Sequence, residues 1–226
     1  MQKFRSMRHW IIGGMTIFII LMATYQASAA ARGASVTTGV RETAGVGSPG
    51  SVTTRGGNIT NTNLTVISQS THWQGFWGRV TGSIALYDAS GNKMMNWSVA
   101  TVSGNVFISN YSTVTWTGLT AASASGCNRV IGTGADSCTN TFNDGTKTFF
   151  VGGAAVTSVN IVKTYNWSGA AVWDEGIINA TNRMLYTATI YNAQKNFKNV
   201  SMNGFQAIVP VNGTATKTYY FWAELA

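Results

Sequence analysis

The chain has 226 residues, with 15 Lys and Arg against 7 Asp and Glu; this positive excess is scattered along the sequence without the clustering that tracks a nucleic-acid backbone. Only 10% of residues are charged, so the surface must be built from the hydroxyls and amides of Ser, Thr and Asn, which suits an extracellular protein that packs against copies of itself or carries glycans. Two cysteines are too few for a zinc cluster, and the sequence holds no phosphate-loop or dinucleotide fingerprint; no metal, cofactor or nucleic-acid partner is expected.

Lys3, Arg5 and Arg8 precede an apolar run over 10–23, and Ala27-Ser28-Ala29 or Ser28-Ala29-Ala30 follows as a small-residue cleavage site. These are the three parts of a secretory leader, which predicts a cleaved signal peptide over 1–30 and no membrane attachment afterwards. A retained anchor is disfavoured because the run falls short of the roughly 20 residues that span a bilayer and is interrupted by Gly13-Gly14. A pilin-type signal would keep the apolar run as an assembly helix, but the small-residue motif lies after that run and favours its removal.

Residues 31–57 are rich in Gly, Ser, Thr and Ala, with Ser35-Val36-Thr37-Thr38 repeated as Ser51-Val52-Thr53-Thr54. Alone, such a segment buries too little apolar surface to offset its ordering entropy. It reads first as a flexible spacer. The sharper reading is a donor-type strand that finds its partner in a neighbouring subunit, because Val36, Val40 and Val52 are apolar enough for a sheet edge to capture.

From 58 to 226 the sequence reads as one all-β domain, an antiparallel β-sandwich. Short alternating segments fall at 63–68, 106–110, 113–116, 148–152, 156–165, 172–178, 184–191, 205–211 and 218–225, separated by Gly, Asn and Ser turns. The stretch 73–97 is the organising hairpin, with Phe76, Val80, Ile84 and Leu86 on one face and a turn at Asp88-Ala-Ser-Gly-Asn92. A short helical turn is expected over 119–125. Cys127 and Cys138 then close a Gly-rich loop as a disulfide contributing ~2 to 3 kcal/mol. The apolar last strand, Lys217-Thr-Tyr-Tyr-Phe-Trp-Ala-Glu-Leu225, belongs inside a sheet.

The chain resembles a group of secreted β-rich surface proteins, chiefly archaeal. The resemblance is carried by Trp-Gln-Gly-Phe-Trp-Gly-Arg-Val-Thr-Gly at 73–82 and Asp-Ala-Ser-Gly-Asn at 88–92, and more weakly by Tyr186-Thr-Ala-Thr-Ile190, Phe205-Gln-Ala-Ile-Val-Pro210 and Tyr219-Tyr-Phe-Trp-Ala-Glu-Leu225. It implies export and a β-sandwich, and supplies no catalytic residue. Members often have an acidic pair where this chain has Asp174-Glu175.

As neighbours in a strand, Asp174 and Glu175 point to opposite faces and cannot serve together as a glycosidase pair. One acid solvated and the other hydrogen-bonded or paired with a basic side chain is the expectation. His72, the only histidine after the leader, reads as a turn residue and not as a member of a Ser-His-Asp triad. Calcium through Asp136 and Asp144 has no EF-type spacing behind it. Trp73 and Trp77 are the candidate ligand-stacking residues, with core packing as the competing role; Gly75 and Gly78 leave open a bulge that would exchange their faces. Asn58, Asn63, Asn96, Asn110, Asn166, Asn179, Asn199 and Asn212 begin Asn-x-Ser/Thr sites for glycan attachment. The expectation is a non-enzymatic cell-surface or extracellular structural protein, a filament or adhesion subunit polymerising with itself by strand addition. The alternative is a carbohydrate-binding module that holds surface glycans on exposed Trp residues.

Overall fold

The computed structural model describes residues 31–45, 48–97, 102–200, 204–211, 213 and 216–226. The leader assigned to 1–30 and the Asn212 site lie outside the described residues.

The centre of the fold is a pair of strands buried on both faces, β9 (Ala171–Ala180) and β10 (Arg183–Thr189). They are joined by Thr181-Asn182, both at positive φ, as a two-residue hairpin of type I′ handedness requires. Asn179 steadies this turn by accepting the backbone N–H of Asn182 at 2.9 Å. Around them run β5 (Gly104–Ser109), β12 (Tyr220–Leu225), β8 (Ala154–Tyr165) and β7 (Thr146–Val151), with β1 (Arg32–Gly33) outermost, in the order β1-β12-β5-β10-β9-β8-β7. β6 (Thr120–Ala121) pairs with Ile178 and Asn179 of β9, beyond the part of β9 that β8 covers. Every ladder is antiparallel.

The pleat sends alternate residues to two separate cores. Val106, Ile108, Ile177, Tyr186 and Ala188 face one side. They are covered by a ribbon of β2 (Trp73–Arg79) and β11 (Gly204–Pro210), through Phe76, Ala207 and Val209, and by a helical corner, through Cys127 and Ile131. Phe107, Ile178, Leu185, Val159 and Ile161 face the other side. That side is covered by the sheet itself. A register shift between Lys147 and Phe149 and a positive φ at Ser158 bend the β7–β8 hairpin over. Its Gly152-Gly153 tip reaches the far flank, where the Gly152 N–H donates to the Glu224 carboxylate at 2.9 Å and Asn105 donates to the Phe150 carbonyl at 3.2 Å. The result is a curled half-barrel.

The helical corner is α1 (Ala124–Ile131), capped by Ser123, and α2 (Cys138–Thr141), capped by Ser137. The Cys127–Cys138 disulfide joins them with Cα atoms 5.8 Å apart. The expected helical turn over 119–125 is displaced: 120–121 is strand, and the helix starts at Ala124 because the Ser123 hydroxyl supplies the cap. The 73–97 hairpin also differs from expectation. β2 takes β11 as its partner, and the hairpin proper is β3 (Ile84–Tyr87) with β4 (Lys93–Trp97). Asp88 organises its turn by accepting the backbone N–H groups of Ser90 and Asn92. Phe76 and Val80 reach the core as the alternation predicts, but Leu86 is 51% exposed. The segments 63–68 and 113–116 form no ladder.

The curl depends on Gly176. A Cβ there would lie 2.7 Å from both Phe149 and Val159, so only glycine lets the folded-over hairpin close onto the sheet. Gly176→Ala is expected to destabilise the protein by ~1 to 3 kcal/mol through overpacking, measured as a lower midpoint in denaturant with an unchanged slope.

Candidate assembly site at the edge of the sheet

β12 is paired with β5 along its whole length, from Tyr220↔Ser109 to Leu225↔Gly104. Its outer edge is different. There β1 contributes two pairs, Arg32↔Ala223 and Gly33↔Trp222, and one more hydrogen bond runs from the Ala34 N–H to the Phe221 carbonyl at 2.9 Å. The last strand is thus second from the edge, guarded by a strand of two residues. Beside it lies β2, whose Phe76 ring meets Phe221 edge-on at 5.1 Å and Tyr219 at 6.3 Å. Here lies a groove of about 580 Å³, lined by Ala34, Val36 and Arg41 of the N-terminal segment together with Phe76, Tyr219 and Phe221.

The chain leaves this groove as an exposed segment whose described residues form no strand before Trp73. Val40 is 89% exposed, Leu64 88% and Ile67 96%. It touches the rest of the fold through an ion pair between Glu42 and Lys198. It is pinned where it joins β2. Asp136, in the loop between α1 and α2, accepts the Ser70 hydroxyl and meets His72 Nδ1 at 3.0 Å, while its backbone carbonyl accepts the Trp73 indole N–H at 2.7 Å. The Ser70 hydrogen bond, then the His72 contact, hold the Asp136 carboxyl below the usual carboxylate range. Ser70 and His72 converge on one carboxylate, and the His72 backbone N–H also donates to the Ser70 hydroxyl at 3.1 Å, so the three residues form a clasp.

Trp73 and Trp77 separate in role. Their ladder with β11 is continuous from Gly204↔Arg79 to Pro210↔Trp73, without a bulge. The Trp73 ring lies 6.1 Å from Phe142 at the margin of the core. Trp77 is 41% exposed, with Phe197 edge-on at 5.7 Å and the Lys198 ammonium 5.8 Å from its ring centre. Trp97 and Trp167 are also exposed. Of the candidate glycan sites, Asn58, Asn63, Asn96, Asn110 and Asn199 are exposed, whereas Asn166 and Asn179 are half-buried with their side-chain oxygens engaged in turns.

Asp174 and Glu175 point to opposite faces, as the pleat demands. Asp174 pairs with Lys147 at 2.6 Å and accepts the Tyr191 hydroxyl at 3.2 Å. Burial, then the Asp174 charge, push the Tyr191 phenol up to about 12. Neither acid is solvated. Glu175 is fully buried beneath β11, one oxygen accepting the Ile208 N–H at 2.6 Å and the other without a partner. It caps a backbone donor that the β2 ladder does not use. Burial pushes its carboxyl well above the ordinary range, against the weaker pull of the Ile208 hydrogen bond.

No helix among the described residues is long and apolar enough to cross a membrane. No family model, curated protein or solved structure matches the chain.

Because burial raises the Glu175 carboxyl in the folded state, its effect on stability has a definite sign. Below the ordinary value of 4.5 both states hold the proton and no penalty arises. As pH rises above that value the unfolded chain releases the proton and the folded chain does not, so stability falls with pH until the folded carboxyl itself ionises. Glu175→Gln keeps an acceptor for Ile208 and removes this slope. Denaturant titrations at pH 4.5 and 7.5 are expected to show the variant gaining on the wild type at the higher pH.

Proposed function

We propose that the chain is an exported, non-enzymatic structural subunit of a cell surface or extracellular assembly, joined to its neighbours by β-strand addition. The observation that carries this reading is the outer edge of β12, paired over two residues of β1 and continued as a groove in which Val36, Phe76, Tyr219 and Phe221 stand beside Arg41 and Lys217. Unpaired N–H and C=O groups at a sheet edge are a template for another strand. The exposed valines of the N-terminal segment offer such a strand. Export is supported by the leader over 1–30 and is compatible with the disulfide, which persists in oxidising compartments. The resemblance to secreted β-rich surface proteins points the same way, and we read the sheet and its covering ribbon as a variant of the β-sandwich that those proteins imply. Exposed Asn58, Asn63, Asn96, Asn110 and Asn199 would carry glycans in a host that attaches them.

Purified chain beginning at Ala31 is expected to form polymers visible by electron microscopy, and deletion of 31–57 is expected to leave a folded monomer. A full-length chain that stays strictly monomeric at high concentration contradicts the reading.

A second reading, glycan binding, is favoured by one observation, the exposed Trp77 indole beside Phe197 and Lys198. It predicts that polysaccharides alter tryptophan fluorescence and that Trp77→Ala removes the change; silence across a broad panel counts against it.

A further inference from the structure

Taking the assembly proposed above as given, we infer that its donor is the N-terminal arm over 31–38, exchanged between copies so that β1 of one chain pairs with β12 of the next. The contact is already formed within one chain, where Arg32↔Ala223, Gly33↔Trp222 and the Ala34 to Phe221 hydrogen bond define an antiparallel register. Exchange therefore needs no new interface, which is the condition under which strand swapping costs little. The covalent tether permits it. Between Gly33 and Trp73 the chain forms no strand or helix among its described residues, and at ~3.3 Å per residue that stretch reaches on the order of 130 Å when extended. A tether this long gives the arm only a weak preference for its own subunit, because effective concentration falls as linker length grows past the span.

The sequence continues the register beyond the pairs formed. Carried forward, it sets Ser35 opposite Tyr220, Val36 opposite Tyr219 and Thr38 opposite Lys217. Val36 then shares a face with Ala34, Tyr219 and Phe221, the apolar wall of the groove, while Ser35 and Thr37 face away. Val36, Thr38, Lys217 and Tyr219 all line that groove. A strand running along it would cover the outer edge of β12 and sit against Phe76 of β2. Because arm and groove are different surfaces, head-to-tail repetition of the contact gives an open chain, whereas reciprocal exchange between two copies closes a dimer.

The Ala34 N–H to Phe221 carbonyl bond makes 34/221 a hydrogen-bonded pair, so 35/220 is the closely spaced, non-bonded pair suited to a cross-strand disulfide. Ser35 and Tyr220 are both exposed, and no free cysteine is present among the described residues. Ser35→Cys and Tyr220→Cys variants of the chain from Ala31, carrying tags of different size, are mixed and mildly oxidised, with Ser51→Cys as an off-register control. The expected result is a heterodimer bridged between positions 35 and 220, absent with the control, together with a ladder of covalent multimers from the double variant. If the double variant gives only an intrachain bridge while electron microscopy shows polymer, arm exchange is overturned and strand addition must use another segment. An intrachain bridge with no polymer at any concentration overturns both.

Discussion

The packing of Phe149 against Gly176 is the constraint on which the rest of the molecule depends. A flat sheet of this many strands would need a separate layer over each face. Here one face is covered by the sheet's own end, and that is possible because β9 presents a bare backbone where the folded hairpin lands. The tip of the hairpin then finds Glu224 on β12. That carboxylate ties one flank of the sheet to the other.

The opposite face is solved differently. The β2–β11 ribbon lies across it, fastened at one side by Phe76 on Phe221 and beneath by the Glu175 carboxyl on the Ile208 N–H. A fully buried acid is an expensive way to satisfy one backbone donor, and it is bearable only in the protonated state. The groove lies where Phe76 of the ribbon meets Phe221 of β12. Curl and ribbon together leave β12 with an outer edge that the chain guards with the two residues of β1.

Alternation made much of this legible in the residues alone. The runs 172–178, 184–191, 205–211 and 218–225 contain β9 to β12 nearly in full, because they are mostly apolar and their bounding turns are Gly- or Asn-rich. Opposite placement of Asp174 and Glu175 followed from the pleat alone. Partners did not follow: β2 is paired with β11, more than a hundred residues away, and nothing in Trp73 to Arg79 distinguishes that from pairing with the next strand. Helix α1 was hidden because Ser, Gly and Asn are weak helix formers, and it stands on its Ser123 cap and disulfide. Leu64 and Val66 have the spacing of a strand but no ladder in this chain, since a strand is defined by a partner and sequence can specify one half of a pair.

The account's central claim is that the outer edge of β12 is completed by another copy. Backbone alternation turns the amides of Tyr219, Phe221 and Ala223 toward that edge, the side on which the Phe221 carbonyl meets Ala34. Amide hydrogen exchange, compared between dilute monomer and assembled protein, reads them directly. Slower exchange at Tyr219 and Phe221 on assembly, with the core of β10 unchanged, is the predicted result. Assembled protein in which both amides exchange as fast as in the monomer would contradict it.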